Sequence, residues 1–176
     1  CCFNNTYKIL PALFDVWMRL LDRIAGSVAW LSPGNATAAA NLKREATARG
    51  VDPDRLVYAP HLSSPEHLAR QVHADLFLDT SPYNAGTTAN DALLMGLPVL
   101  TLSGTTMASR VAGSQLRAAG LPELVTHDLA GYESRALELA RDPALLAALR
   151  ARLRASRHTA SLFDMARFTR GLESAL

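Results

Sequence analysis

The chain has 176 residues, 49% of them apolar and 6% aromatic, and a formal net charge of +2. That length suits one domain with a sizeable core, and so small a charge gives no electrostatic case for nucleic acid or an anionic membrane as partner. The two cysteines, Cys1 and Cys2, are adjacent; this argues against a disulfide framework or a zinc site and fits a reducing, cytoplasmic setting.

Cys1 to Phe3 reads as a first strand, followed by the polar turn Asn4-Asn5-Thr6. Pro11 suits a first helical turn, and Leu13, Phe14, Trp17, Leu20, Leu21 and Ile24 recur at helical spacing before Gly26. Val28 to Leu31 is a short apolar strand, Ser32 to Asn35 a loop, and Ala36 to Arg49 an Ala-rich helix closed by Gly50. Leu56 to Tyr58 is the third strand. Ser64 suits an N-cap with Pro65 at the first helical position, opening a short helix that carries His67, Leu68 and Arg70 and ends near His73. The fourth strand lies within Asp75 to Asp79. Thr87 and Thr88 open the next helix, and Gly96-Leu97-Pro98 turns into a fifth strand, Val99 to Leu102. Thr105 or Thr106 starts a helix to Ala119, stopped by Gly120. Leu124-Val125 is a short sixth strand. Three helices close the chain, at about Leu129 to Arg141, Pro143 to Ser156 and Ser161 to Leu176, with Arg150, Arg152, Arg154 and Arg157 on a solvated face.

Strand and helix alternate along most of the chain, and the strands are continuous apolar runs. Both faces of their sheet are therefore covered, as in a parallel, doubly wound, Rossmann-like α/β fold with extra C-terminal helices. Ligands bind such sheets beyond the carboxyl ends of the strands. The loops there are Asn4 to Lys8, Ser32 to Asn35, Ala59 to Ser64, Thr80 to Gly86 and Ser103 to Thr106. No apolar run approaches the roughly 18 residues of a membrane span, and no signal peptide is visible. The chain starts with Cys rather than Met and inside an apolar run, so it reads as a fragment of a longer protein.

The stretch Asp79 to Leu93, DTSPYNAGTTANDAL, concentrates the chemistry. A strand, a loop of small residues and a helix start make an anion site, because the first N–H groups of a helix lack internal partners and its dipole favours negative charge. Thr87 and Thr88 add hydroxyls, and Gly86 allows close approach to the backbone. The bland alternative is that these threonines only cap their helix. The dipole contributes roughly 0.3 to 2 kcal/mol, while a micromolar ligand needs about 8 kcal/mol. Other residues must therefore join the site. GxGxxG after the first strand, GxxxxGK[ST] and paired acids at the first strand are all absent, which counts against a dinucleotide fold, a P-loop and a response regulator.

The segments FNNTYKILP (Phe3 to Pro11), APHLSSPEHLARQVHADLFLDTSPYNAGTTANDALLMGLPVLTL (Ala59 to Leu102) and ASRVAGSQL (Ala108 to Leu116) resemble the C-terminal catalytic lobe of protein O-GlcNAc transferases. These are family 41 glycosyltransferases, which include SPINDLY-like proteins. The resemblance covers nearly the whole chain, so residues 1–176 are expected to form one nucleotide-sugar-binding lobe of a two-lobed GT-B enzyme. It implies a UDP-sugar as donor substrate and no separate cofactor. With Lys8 and the Thr87/Thr88 helix start to meet the leaving group, and no carboxylate cluster suited to magnesium, no metal is expected. It implies that Asn5 and Lys8 face the diphosphate, with Lys8 the catalytic cation that neutralises the leaving group. The backbone around Leu62, with His67 and Arg70, would hold uracil; Thr87 and Thr88 the phosphates; Asp91 the ribose region. The acceptor is a protein, reached through a first lobe and repeats outside this chain, so the chain alone is expected to be inactive.

The family often has Gln at the place of Asn5, Lys at Ser64, and the loop NGHTT where this chain has Asn84-Ala85-Gly86-Thr87-Thr88, so that a His near the phosphates is lost at Gly86. Competing readings are a non-catalytic nucleotide-sensing module and a GT-B transferase for another UDP-sugar. The residues also admit plainer roles: Lys8 as a surface lysine, His67 as a capping histidine, Arg70 as a solvated charge, and Asp91 as a dipole complement. Asp79 reads as a loop organiser, and His61 and His73 as structural or solvated.

Overall fold

A computed structural model describes residues 1–175. Five short strands, β1 (Ala29–Leu31), β2 (Leu56–Tyr58), β3 (Phe77–Leu78), β4 (Val99–Leu102) and β5 (Val125–Thr126), pair only in parallel, as β1–β2 and β3–β4–β5. The leading residues join the two sets. Cys2 N–H donates to Trp30 O and Ser32 N–H to Cys2 O on one side, while Leu78 N–H donates to Cys1 O on the other. Cys2 makes a single bridge to Leu31 rather than the full strand expected over Cys1 to Phe3. Counting this segment as the first strand, the spatial order is 3-2-1-4-5-6, the doubly wound Rossmann order. Its topological switch point lies between the leading segment and β3.

The helices are α1 (Pro11–Arg23), α2 (Ala36–Ala48), α3 (Ser64–Arg70), α4 (Thr87–Leu94), α5 (Val111–Ala118), α6 (Leu129–Arg141), α7 (Pro143–Ser156) and α8 (Met165–Glu173). Along β4, Val99, Leu100 and Thr101 are all buried although they alternate in direction, so both sheet faces are covered. α4, α5 and α6 pack on this strand, and α6 brings α1 with it. The apolar stripe of α1 buries Leu13, Phe14, Trp17, Leu20 and Leu21, and Trp17 Nε1 reaches the hydroxyl of Tyr132 on α6 at 3.4 Å.

Several boundaries differ from expectation. The cap of α3 is Ser63, not Ser64: Glu66 accepts from both the N–H and the hydroxyl of Ser63, a local exchange that fixes the helix start one residue earlier. α5 begins at Val111, not at Thr105 or Thr106, because Ser109 N–H and Oγ bond back to Thr106 and close a separate turn. α8 spans Met165–Glu173, shorter than Ser161 to Leu176, and Leu176 lies outside the described residues. Arg150 and Arg152 are not merely solvated: Arg150 bonds Ala74 O, and Arg152 bonds Gly120 O and pairs with Glu123. Among the described residues no helix is long and apolar enough to cross a membrane.

Candidate functional site: an anion cradle at the switch point

Asp79, at the end of β3, has no exposed surface. Its Oδ1 accepts from Asn4 Nδ2 at 3.1 Å, Thr80 N–H at 2.7 Å and Ala85 N–H at 2.7 Å, and Oδ2 accepts from Thr101 Oγ1 at 2.6 Å. Burial pushes its pKa up to about 6, and these four donors resist that rise. The carboxylate thus folds the loop Thr80–Gly86 back upon itself, as a loop organiser should. Asn84, also buried, ties the same loop to Thr80 O and Leu102 O through Nδ2.

That loop delivers the start of α4. Gly86 is its N-cap and offers no side chain, and the first internal bond runs from Asn90 N–H to Gly86 O at 3.1 Å. The amides of Thr87, Thr88 and Ala89 therefore have no helical acceptor. Thr87 is exposed, with its hydroxyl open to solvent. Thr88 is different: its Oγ1 donates to Asn4 Oδ1 at 2.5 Å. Its proton is already engaged within the protein, so Thr88 offers a ligand its backbone N–H but not its hydroxyl proton.

Lys8 ends a 3-10 turn, Thr6–Lys8, directly after the leading segment. Its Nζ donates to Asn84 O at 3.1 Å and lies 3.8 Å from the centre of the Tyr83 ring. Partial burial lowers its pKa, while the charge of Asp79 opposes that shift. An ammonium and free helix amides thus meet at one loop. Tyr7, 67% exposed, and Tyr83, 50% exposed, add aromatic surface beside it.

A second cluster stands on α3. Arg70 Nη2 meets His67 Nδ1 at 2.5 Å, and Arg70 Nη1 donates to Pro60 O at 2.7 Å. Phe3 packs edge-on to the His67 ring and lies 4.7 Å from the Arg70 guanidinium. Burial first, then the charge of Arg70, lowers the His67 pKa, so the ring is neutral at pH 7. Arg70 can only donate, so His67 Nδ1 accepts and the ring proton sits on Nε2. The atom 3.2 Å from it is Gln71 Nε2, also a donor, so this contact is a hydrogen bond only with the Gln71 amide turned to present its otherwise unpartnered Oε1. Burial raises the pKa of Asp91, and the charge that His67 carries when protonated opposes it, which sets α4 beside this cluster. Leu62 is 43% exposed on the connecting loop. His61 and His73 are exposed.

The structure therefore brings Lys8, Thr87 and Thr88 to one rim, and His67, Arg70 and Asp91 to its neighbouring part. Asn5 is exposed and does not join the hydrogen-bonded floor; Asn4, 2% exposed, does. Sequence reading passed over Asn4, Asn84 and Thr101. Strand alternation from the buried Cys2 is the one signal that points Asn4 inward. Ala85 is fully buried with its N–H on Asp79, and Gly86, where the family often has His, follows it as the N-cap of α4. A cavity of about 530 Å³ opens among Trp17, Trp30, Leu76 and Leu146 at the opposite ends of the strands. Its lining is mostly apolar, with Ser27, His73 and Asp75 at its wall, whereas the rim gathers an ammonium and free helix amides at the carboxyl ends of the strands and is the better candidate.

A family model described as "Glycosyl transferase family 41" matches residues 1–172. A "Probable UDP-N-acetylglucosamine--peptide N-acetylglucosaminyltransferase SEC" from Arabidopsis thaliana is 39% identical over 98% of this chain and 18% of its own length. A UDP-N-acetylglucosamine--peptide N-acetylglucosaminyltransferase from Caenorhabditis elegans is 36% identical over 100% of this chain and 15% of its own. A solved structure of a mutant O-GlcNAc transferase from Thermobaculum terrenum superposes with a TM-score of 0.93 at 38% identity, covering 99% of this chain and 34% of that one. The chain thus spans under a fifth of the length of these curated relatives.

Proposed function

Because the chain belongs to glycosyl transferase family 41, we propose that it is the donor-binding half of an O-linked N-acetylglucosamine transferase, acting with parts of a longer protein. It binds UDP-GlcNAc as substrate and takes no separate cofactor. The acceptor is a Ser or Thr hydroxyl of a protein, held by a first lobe and repeats beyond this chain. Names of the relatives support the donor and acceptor, and the likeness to the solved transferase supports a GT-B setting.

The observation that carries this reading is the meeting of Lys8 with the loop leading into α4. In transfer, the bond from the sugar C1 to the β-phosphate oxygen breaks and a bond from C1 to the acceptor oxygen forms. Attack from the face opposite UDP inverts the anomeric centre, and the hydroxyl proton leaves to a base outside this chain. Negative charge grows on the departing β-phosphate. Lys8 and the free amides of Thr87 and Thr88 meet that charge without reorganising, which is the economical form of electrostatic stabilisation. Thr87 adds a hydroxyl. Asp79 has its oxygens engaged by protein donors, so the cradle works through N–H groups and a cation, and we propose that transfer is metal-independent. On the α3 side, neutral His67, Arg70 and the backbone near Leu62 suit uracil, and Asp91 the ribose. Asn5 lies at the outer edge, where it reaches the diphosphate only from solvent.

Titration calorimetry of the chain with UDP tests this. UDP binds equally with and without EDTA, and Lys8→Ala weakens it about tenfold or more, the loss of one charge-assisted contact. In the longer protein the same variant lowers kcat more than it raises KM. No heat from the parent chain, or heat abolished by EDTA, overturns the reading.

A further inference from the structure

We propose that Asn4 is a positioning residue that locks the Lys8 segment to the first turn of α4, so that the two electropositive sides of the cradle keep one fixed geometry. The inference rests on the donor-binding reading above for its consequence, but its mechanical content stands on the hydrogen bonds alone.

Asn4 makes three bonds from one buried carboxamide. Nδ2 donates to Asp79 Oδ1 at 3.1 Å and to Thr80 Oγ1 at 2.7 Å, and Oδ1 accepts from Thr88 Oγ1 at 2.5 Å. Each partner governs a different part of the rim. Thr88 is the second residue of α4. Thr80 Oγ1 passes its own proton to Tyr83 O at 2.7 Å, and the Tyr83 ring lies beneath the Lys8 ammonium. Asp79 gathers the loop. On the chain itself, Asn4 and Lys8 are separated by little more than one 3-10 turn, held by Lys8 N–H to Asn5 O at 3.0 Å. Lys8 therefore inherits its position from Asn4, and α4 is bound to the same side chain.

No other residue type supplies this set in that volume. Asp has no donor when ionised, and it would stand against Asp79. Ser is too short to serve three partners, and Leu removes one hydrogen bond from each of Thr80, Thr88 and Asp79. A wholly structural role, by contrast, would be indifferent to whether Lys8 and α4 move together.

Asn4→Asp and the pair Thr88→Val and Thr88→Ser test the proposal. In Asn4→Asp the new carboxyl keeps one donor and one acceptor while it is protonated, whereas its ionised form repels Asp79. Relative to the parent at each pH, Asn4→Asp binds UDP about tenfold more weakly at pH 8 and recovers most of that loss at pH 5. Without nucleotide, amide exchange rises in both segments, 5–9 and 84–90, at pH 8 and returns toward the parent at pH 5. Thr88→Val, which deletes only the link to Asn4 Oδ1, gives the same paired rise at any pH, and Thr88→Ser restores it. Should Asn4→Asp fail to fold, the Thr88 pair decides. Exchange that rises in one segment alone, or a folded Thr88→Val with unchanged exchange in both, overturns the proposal. A parent that shows the coupled exchange but binds no UDP leaves the lock intact and instead removes the donor-site reading.

Discussion

A carboxylate with no exposed surface persists only where donors surround it, and Asp79 has four of them. Burial still pushes its pKa from 3.8 up to about 6. Between those values the folded chain keeps a proton that the unfolded chain has released. Stability from this group therefore falls as pH rises through the window and levels off above it. Asp79→Asn removes the titration. The difference in unfolding free energy between parent and variant should decline from about pH 4 to about pH 6, by at most about 1.4 kcal/mol per unit, and stay level from there to about pH 8. Urea denaturation across that range measures it, and a level difference throughout would show that Asp79 titrates as an exposed acid. The role of Asp79 as loop organiser was legible from its place after an apolar run. Which of two adjacent asparagines turns inward was much less so: Asn4 and Asn5 are chemically identical, strand alternation from Cys2 only favours Asn4, and partners 75 or more residues away are what hold it there. The same distance hid the spent proton of Thr88, which composition cannot separate from Thr87.

Helix α4 supplies the amides of the cradle, and its start was legible because a small-residue loop and two threonines follow a short apolar strand. Starts set by side-chain exchange were less legible. Ser63 and Ser64 are equally good caps on paper, and Glu66 selects Ser63 by the three-residue spacing of a capping box. The turn closed by Thr106 and Ser109 resembles a helix start until its backward bonds are seen. At the head of α4, Gly86 has a negative φ of −105°, and the nearest atom an added Cβ would meet is Val111 Cγ1 at 3.9 Å. The protein thus has room for a methyl group at Gly86, where the family often carries a much larger His. Gly86→Ala should therefore shift the unfolding free energy by no more than about 1 kcal/mol and leave UDP affinity within about threefold of the parent. A folded variant that loses UDP binding would show that the nucleotide needs bare backbone at this cap.

At the scale of the molecule, the strand order fixes where ligand chemistry can occur. Alternating apolar runs and helices sufficed to read a doubly wound sheet, because each strand is covered on both faces and shows that in its residues. The order 3-2-1-4-5-6 then opens a crevice between the leading segment and β3, and Asn4, Lys8, Asp79 and Thr80 all follow from those two strand ends. Behind the crevice the outer helices are bonded to its floor. The hydroxyl of Tyr132, on α6, donates to Asp79 O at 3.0 Å and accepts from Trp17 Nε1 of α1 at 3.4 Å. All three residues are buried. Tyr132→Phe removes one oxygen and leaves an indole N–H and a carbonyl without their partner, at a cost of about 1 to 3 kcal/mol each where no water replaces it. The Asp79 side chain does not depend on that hydroxyl, since its four donors come from the leading segment, its own loop and β4. Two measurements on Tyr132→Phe should therefore part company. Thermal and urea stability drop, and UDP affinity at a temperature where the variant is fully folded stays within about twofold of the parent. Equal stability would mean that the helix layer is not bonded to the site. A loss of affinity in step with stability would mean that the cradle is held from behind, by α1 and α6, rather than from within its own loop.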